Sequence, residues 1–198
     1  MRKLIVANIM SLDGYYDGPG GNVMVLPMDE AFDDYNAERL RAADTLLLGR
    51  NSYEAFKGGF WPAMADDPNA TPTHREIGRL DNAIDKVVVS DTITADQTEP
   101  WQENTRIIRR ADAHEQIAEL KRQTGKDILV FGSRTLWNDL LANDLVDELH
   151  LMVGPVVLGG GTPIFGSQPA GLLRLIDLHR RDGSENVLLR YEVRRANT

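Results

Sequence analysis

The sequence predicts a three-layer α/β/α domain whose central sheet is mixed but mostly parallel and ends in an antiparallel hairpin. Three observations lead there. Short apolar runs rich in β-branched residues alternate with segments of helical spacing. Small polar residues stand where run turns into helix, as at Gly49-Arg50-Asn51-Ser52 and Gly132-Ser133-Arg134-Thr135. The last two extended segments, 172–179 and 186–194, follow one another with no helical segment between them, which makes them an antiparallel pair.

Along the chain, 3–10 is a buried strand that empties into Ser11-Leu12-Asp13-Gly14 and a glycine-rich loop to Gly21. Residues 27–43 have helical spacing, with Phe32, Tyr35, Asn36 and Leu40 near one face and acidic residues in the first turn, where the macrodipole favours them. A strand at 45–48 leads to a short helix through Ala55-Phe56. The loop 58–72 contains Trp61 and is too short to separate domains, so it is expected to frame a site. A helix over 73–82 precedes the strand 86–89. Strands 105–108 and 127–131 flank a helix over 112–123, which Gly125 ends. A helix over 135–142 then leads to a strand over 146–157. No internal repeat or linker interrupts this order, so 1–198 is read as one domain.

Composition narrows the function. At 198 residues and 42% hydrophobic content the chain buries a core of ordinary size. The net charge is −8 and the basic residues are scattered, so no basic face exists to neutralise nucleic-acid phosphates. Cysteine is absent, which removes disulfides, thiolate catalysis and cysteine-held metals. His74, His114, His150 and His179 lack a metal-ligand spacing, and no metal is expected. No apolar run reaches the roughly 18 residues of a membrane span, and Met1-Arg2-Lys3 enters the first strand without a signal-peptide pattern, so a cytoplasmic address with no membrane partner is expected.

In a parallel α/β sheet, ligands bind beyond the carboxyl ends of the strands, where helix N-termini aim free N–H groups at anions. Three junctions qualify: Gly49-Arg50-Asn51-Ser52, Ser90-Asp91-Thr92 and Gly132-Ser133-Arg134-Thr135. None is a G-x-G-x-x-G fingerprint or a G-x-x-x-x-G-K-[ST] phosphate loop. Each taken singly also reads as a capped turn.

The motifs Ser11-Leu12-Asp13-Gly14, Leu47-Leu48-Gly49-Arg50, Phe131-Gly132-Ser133, Val146-Asp147-Glu148-Leu149 and Pro155-Val156-Val157-Leu158-Gly159-Gly160-Gly161 occur in the order seen in the RibD C-terminal-like reductases, which the chain resembles over nearly its whole length. The resemblance implies a dihydrofolate-reductase-like fold and NADPH as cofactor. It places the adenosine 2′-phosphate near Arg50 and Ser90, with Gly49, Asn51 and Ser52 beside it. It places the pyrophosphate on 132–136, that is Gly132, Ser133, Arg134, Thr135 and Leu136 after Phe131, and the nicotinamide against Ala7 and Asn8. The planar fork of an arginine and the open N–H groups of a helix start both suit phosphate. Two departures stand out. Dihydrofolate reductase joins two glycines by a cis peptide where this chain has Gly132-Ser133, and the resemblance predicts that strain here, at about 3 kcal/mol for a non-proline bond. Asp91 stands where a hydroxyl residue often helps hold the 2′-phosphate.

For the substrate side the resemblance offers Asp13 and Asp33 as acids, and Trp61, Glu148 and Gly160 as contacts. Each keeps a second reading: Asp13 as a turn former, Asp33 as an exposed helix-start carboxylate alongside Asp34, Trp61 as core, Glu148 as an outward-facing strand residue, and the glycines 159–161 as a bend. The Asp-Pro pair of riboflavin-pathway reductases is matched only by Asp66-Asp67-Pro68, farther along. The implied activity is hydride transfer to a C=N or C=O carbon of a small polar substrate, as when a ribosylaminopyrimidine becomes its ribitylamino form. The rivals are a dihydrofolate or pterin reductase and a catalytically silent NADP-binding member. A homodimer joined through the C-terminal strands is a further expectation.

Overall fold

The computed structural model describes residues 1–166 and 172–194. Eight strands form one sheet: β1 (Leu4–Ser11), β3 (Ala43–Gly49), β4 (Asp85–Val89), β5 (Thr105–Ile108), β6 (Asp127–Phe131), β7 (Glu148–Gly154), β9 (Leu172–Arg180) and β10 (Val187–Arg194), in the spatial order β5-β4-β3-β6-β1-β7-β10-β9. Pairing is parallel from β5 to β7 and antiparallel at β7–β10 and β10–β9. The predicted α/β class and terminal hairpin hold. Two short strands, β2 (Tyr15–Asp17) and β8 (Thr162–Pro163), make a separate antiparallel pair inside segments expected to be loop.

Strand alternation divides the apolar side chains between two cores. Leu47, Val87 and Val130 point to one face, beneath α5 (Ala113–Arg122) and α6 (Arg134–Ala142), where Ile117 and Trp137 are fully buried. Leu46, Leu48, Val88 and Leu129 point to the other, beneath α1 (Glu30–Ala42), α2 (Arg50–Lys57) and α4 (Pro72–Ala83). Asp29 starts α1 by accepting the Phe32 N–H at 3.1 Å, and its other oxygen accepts the Ser184 hydroxyl at 2.6 Å, which ties the helix to the β9–β10 turn. Thr71 caps α4 with Pro72 in the first turn.

Some boundaries differ from those expected. The segment 58–72 contains a helix, α3 (Phe60–Met64), seated on α4 at Gly78. A Cβ at Gly78 would lie 2.6 Å from the Ala65 nitrogen and 2.9 Å from the Trp61 carbonyl oxygen, so only glycine permits this approach. Gly125 does not cap α5, which ends on Gln123; it lies against the Arg2–Asp44 ion pair, where a Cβ would meet Asp44 Oδ2 at 2.7 Å. β7 is shorter than predicted, since Pro155 has no N–H to extend the ladder.

The amino end of the sheet is closed by charge. Asp147 Oδ2 accepts the Leu4 N–H at 2.7 Å and the Lys121 ammonium at 2.7 Å. Glu148 accepts Lys3 Nζ at 2.6 Å and His150 Nε2 at 2.8 Å, while Tyr35 Oη lies 2.6 Å from His150 Nδ1. The hydrogen bond from His150, joined by that from Lys3, holds Glu148 at about 2, and burial keeps His150 below its ordinary value.

Another buried pair sits under α4. Lys86 is 1% exposed, donates to the Asp81 and Ile84 carbonyls, and lies 4.3 Å from the Trp101 ring centroid. Asp81 is 3% exposed, and its Oδ2 has no hydrogen-bond partner among the described residues.

Two outcomes follow from these contacts. Glycine to alanine within a helix ordinarily stabilises by about 1 kcal/mol, but Gly78→Ala is expected to lower stability by about 1–3 kcal/mol in urea unfolding, because α3 must shift. A gain in stability would contradict the packing described. Burial raises Asp81 from 3.8 to about 6, so the folded state holds a proton that the unfolded chain releases, and the associated stability is lost as pH rises from about 4 to 6. Asp81→Asn removes that loss: relative to the parent it should gain up to about 3 kcal/mol between pH 4 and 7, at 1.36 kcal/mol per unit. A stability difference that stays flat across this range would count against the burial effect.

Candidate active site

The parallel strands β1, β3, β4 and β6 end on one edge, and two of the strand-to-helix turns there are locked together. At the end of β6, Gly132 (φ 54°) and Ser133 (φ 50°) are both left-handed. Among the described residues the cis peptide bond precedes Pro100, and Gly132–Ser133 is trans, which corrects the expectation of a cis bond at this position. Two successive left-handed residues reverse the chain instead. The conformation costs a serine about 1–2 kcal/mol, and three hydrogen bonds hold it. The Ser133 N–H donates to Ser52 Oγ at 2.8 Å, the Gly49 N–H donates to Ser133 Oγ at 3.0 Å, and Asn8 Nδ2 donates to the Gly132 carbonyl at 3.3 Å. The left-handed φ favours glycine at 132, and a Cβ there would also lie close, 3.0 Å from Ser52 Oγ and 3.2 Å from Tyr16 Oη, so that these side chains would have to shift.

This lock leaves both helix starts open. Neither α2 nor α6 has a side-chain cap, because Gly49 offers none and the Ser133 hydroxyl is turned toward Gly49. The first-turn N–H groups of both helices therefore lack intrahelical acceptors, the arrangement that binds anions. Asn51 and Thr135 are exposed on these first turns, and Leu136 packs against the core. Arg50 reaches along the same edge, donating to Thr92 Oγ1 at 3.0 Å and Glu54 Oε1 at 3.1 Å. Ser90 is 1% exposed and its hydroxyl accepts the Thr92 and Ile93 N–H groups at 3.2 and 3.1 Å, so Thr92, rather than Ser90, presents a hydroxyl beside Arg50. Asp91 accepts the Arg110 N–H at 2.9 Å, and its carboxylate lies 3.7 Å from that guanidinium.

Next to the lock lies a cavity of about 470 Å³. Ala7 and Asn8 of β1 and Phe131-Gly132 line it from the sheet, Phe32, Asp33 and Asn36 from α1 and Ile77 from α4; Tyr16, the exposed Met24, the buried Leu26, Phe56 and Trp61 also line it. Asp33 Oδ2 and His74 Nε2 are 2.7 Å apart, and the Trp61 and His74 rings meet edge to face at 6.2 Å. Burial raises the Asp33 carboxyl, against the hydrogen bond from His74, which lowers it.

Several predicted site residues thus gather here: Ala7, Asn8, Asp33, Trp61, Phe131 and Gly132 on the cavity, with Gly49, Arg50, Asn51, Ser52, Ser133, Arg134, Thr135 and Leu136 on the adjoining helix starts. Others fall elsewhere. Asp13 accepts the Ser11 hydroxyl at 2.7 Å and the Leu158 and Gly159 N–H groups at 3.1 and 2.8 Å, and the Ser11 bond is the main cause holding it at about 2. It binds one loop to another and does not line the cavity. Gly160 lies in the same turn, facing open space, while a Cβ at Gly161 would run into the Asp17 carbonyl, so the glycine run is a bend. Glu148 is opposite Ile5 at the amino end of the sheet, remote from the cavity, because the register of β1 with β7 carries it there. Asp67 accepts the Asn69 N–H at 2.8 Å in a turn of its own.

Sequence reading missed Tyr16, His74 and Thr92. Tyr16 belongs to a glycine-rich stretch without periodicity, and His74 meets its partner 41 residues away. Thr92 carries a signal that was present, a second hydroxyl in the Ser90-Asp91-Thr92 junction.

With this geometry in view, comparison with known proteins is informative. The uncharacterized protein YyaP of Bacillus subtilis is 31% identical over 166 residues, 83% of this chain and 80% of that protein. A pyrimidine reductase-like protein from Corynebacterium diphtheriae superposes with a TM-score of 0.62 at 15% identity, over 98% of this chain and 93% of the other. A diaminohydroxyphosphoribosylaminopyrimidine deaminase/5-amino-6-(5-phosphoribosylamino)uracil reductase from Thermotoga maritima superposes with a TM-score of 0.67 at 12% identity, over 97% of this chain and 56% of the other. The two superpositions show a shared fold. The model of the RibD C-terminal domain matches residues 2–189, and the chain belongs to that family.

Proposed function

We propose that the protein is an NADPH-dependent reductase that delivers hydride to a C=N or C=O carbon of a small substrate. The observation that carries this reading is the pair of uncapped helix starts, locked through Ser133 at the rim of an apolar cavity. Their N–H groups suit a pyrophosphate, and the Arg50 guanidinium with the Thr92 hydroxyl suits a 2′-phosphate. Ala7, Asn8, Phe131 and Gly132 would line the nicotinamide. When bound, NADPH supplies the hydride. The protein's own part is to hold the two ring systems in one water-poor space: Phe32, Phe56 and Trp61 exclude solvent, and the Asp33–His74 pair holds the proton that a reduced nitrogen or oxygen must receive. Family membership favours a riboflavin-pathway type of reduction. A pterin-type reduction is the second reading, and it is favoured by the carboxylate of Asp33 on the cavity wall.

A second copy of the chain is the proposed cover for β9. This strand is the outer edge of the sheet, and Leu172, Leu175, Ile176 and Leu178 on it are exposed. Antiparallel pairing with its own copy, Leu175 opposite Ile176, would set Arg174 opposite Asp177 and cover the row.

NADPH titration followed by nucleotide fluorescence tests the first proposal. Arg50→Ala should weaken NADPH about 10-fold or more, as loss of a charge-assisted hydrogen bond requires, and change NADH far less. No NADPH binding by the parent would end the reading. For the second, sedimentation velocity should give a dimer that Leu175→Glu with Leu178→Glu converts to monomer, and a monomeric parent would refute it.

A further inference from the structure

The cavity runs deeper than the Asp33–His74 pair. Its lining residues on α1 are Phe32, Asp33, Asn36 and Leu40, and on α4 they are His74, Ile77 and Asp81. Both sets recur at the three- and four-residue spacing of a single helix face. Exposure falls along each of them: Phe32, Asp33 and His74 are partly exposed, whereas Asn36, Leu40, Ile77 and Asp81 are buried. His74 and Asp81 are seven positions apart on α4, a distance of about 10 Å along the helix axis. The cavity is therefore elongated, with one carboxyl at its more exposed end and a second, that of Asp81, at its inner end.

Asp81 is the carboxyl that the protein leaves unserved. Its Oδ2 has no hydrogen-bond partner among the described residues, although several donors lie close by in the chain and the fold. Lys86 Nζ donates to the Asp81 and Ile84 carbonyls and faces the Trp101 ring. Trp101 Nε1 donates to Asn82 Oδ1, and Asn82 Nδ2 to the Pro62 carbonyl. Asn104 Nδ2 donates to the Asn82 and Ile84 carbonyls. Each of these donors is satisfied elsewhere. A buried carboxyl without a donor costs stability, and a fold that keeps one facing a cavity holds an acceptor in reserve for what enters.

The charge around Asp81 limits what can meet it. Burial raises the carboxyl and the Lys86 ammonium lowers it, so that ammonium already acts on Asp81. A second cation would be repelled by it across an apolar space, and an anion would be repelled by the carboxylate. An uncharged N–H or O–H avoids both repulsions and supplies the missing donor.

We propose that the inner end of the cavity is a recognition site for an uncharged hydroxyl or amide N–H at the leading end of an elongated, largely apolar substrate, and that Asp81 accepts the hydrogen bond from it. The word substrate rests on the reductase reading. The site itself is measurable without cofactor.

The test uses 3-phenylpropan-1-ol, its methyl ether and 3-phenylpropan-1-amine, titrated calorimetrically against the whole chain with and without NADPH. The alcohol is expected to bind about 10-fold or more tightly than the ether, which lacks the donor, and more tightly than the protonated amine. Asp81→Leu should abolish the gap between alcohol and ether while remaining folded, since it replaces an unserved carboxyl by an apolar group of similar size. Asp81→Asn, which keeps a carbonyl acceptor, should retain part of that gap. Asp33→Asn, at the other end of the cavity, should change the alcohol and ether affinities by the same factor. Failure of the alcohol to bind overturns the proposal, as does equal binding of alcohol and ether, tighter binding of the amine, a gap that survives Asp81→Leu, or a gap lost in Asp33→Asn. Failure of NADPH to bind, with the alcohol still preferred through Asp81, removes the reductase reading and leaves the donor site standing.

Discussion

The left-handed serine at the end of β6 is the constraint on which the site depends. Ser133 spends its N–H on Ser52 and accepts the Gly49 N–H, so the β3–α2 and β6–α6 turns are fixed to each other rather than to their own helices. A serine at the N-cap of α6 would ordinarily accept one of that helix's own first N–H groups, while Gly49 offers α2 no side chain to do so. Here the hydroxyl that would cap α6 is diverted across the gap, and two helix starts remain open side by side. The strained backbone is held by these hydrogen bonds, and Gly132 adopts its own left-handed φ at no steric cost. One residue's conformation therefore sets the spacing of the anion-binding groups and the floor of the cavity together.

The same sheet keeps its charges at opposite ends for different purposes. At the amino end, Asp147 and Glu148 are saturated by Leu4, Lys121, Lys3 and His150, and His150 passes the chain of hydrogen bonds to Tyr35 under α1. The network fixes β1 against β7 and seats α1, whose first turn carries Asp33 to the far end. In the cavity at the carboxyl end, apolar surface prevails. Glu148 at the amino end has several partners and stays ionised; Asp33 at the other end has one hydrogen-bond partner among the described residues, His74, and is pushed up by burial. The opposite shifts of Glu148 and Asp33 are thus a difference of environment, not of residue type.

Much of this was legible in the sequence. The order of strands and helices follows from period and punctuation, since fully buried parallel strands leave continuous apolar runs such as 46–48 and 87–89, and the junctions after β3 and β6 announce themselves by small polar residues. What escaped has physical causes. The helix α3 hides because its seat is a missing side chain, Gly78, on another helix. The position of Glu148 escaped because a motif fixes sequence position and leaves register open, and the register of β1 with β7 carries the residue to the end of the sheet away from the cavity. A hydroxyl in a turn serves its own backbone, a ligand or both, and the bonds of Ser90 to the Thr92 and Ile93 N–H groups are visible only in the geometry.

The two halves of the site differ in how they are encoded, and this explains why family resemblance reaches one and not the other. The side formed by the helix starts is made of backbone: two uncapped first turns, a glycine, a serine held left-handed. Backbone geometry survives wide sequence divergence, as superposition at 12–15% identity illustrates. The substrate side is made of side chains from α1, α3, α4 and the loop around Met24, which approach one another only through packing. Exchange of a single one of them, a lysine for Met24 or an asparagine for Asp33, would alter the charge of the cavity without disturbing a strand. In such a fold the open helix starts are set by the topology, whereas the lining of the cavity is set by a few side chains that no ordered motif records.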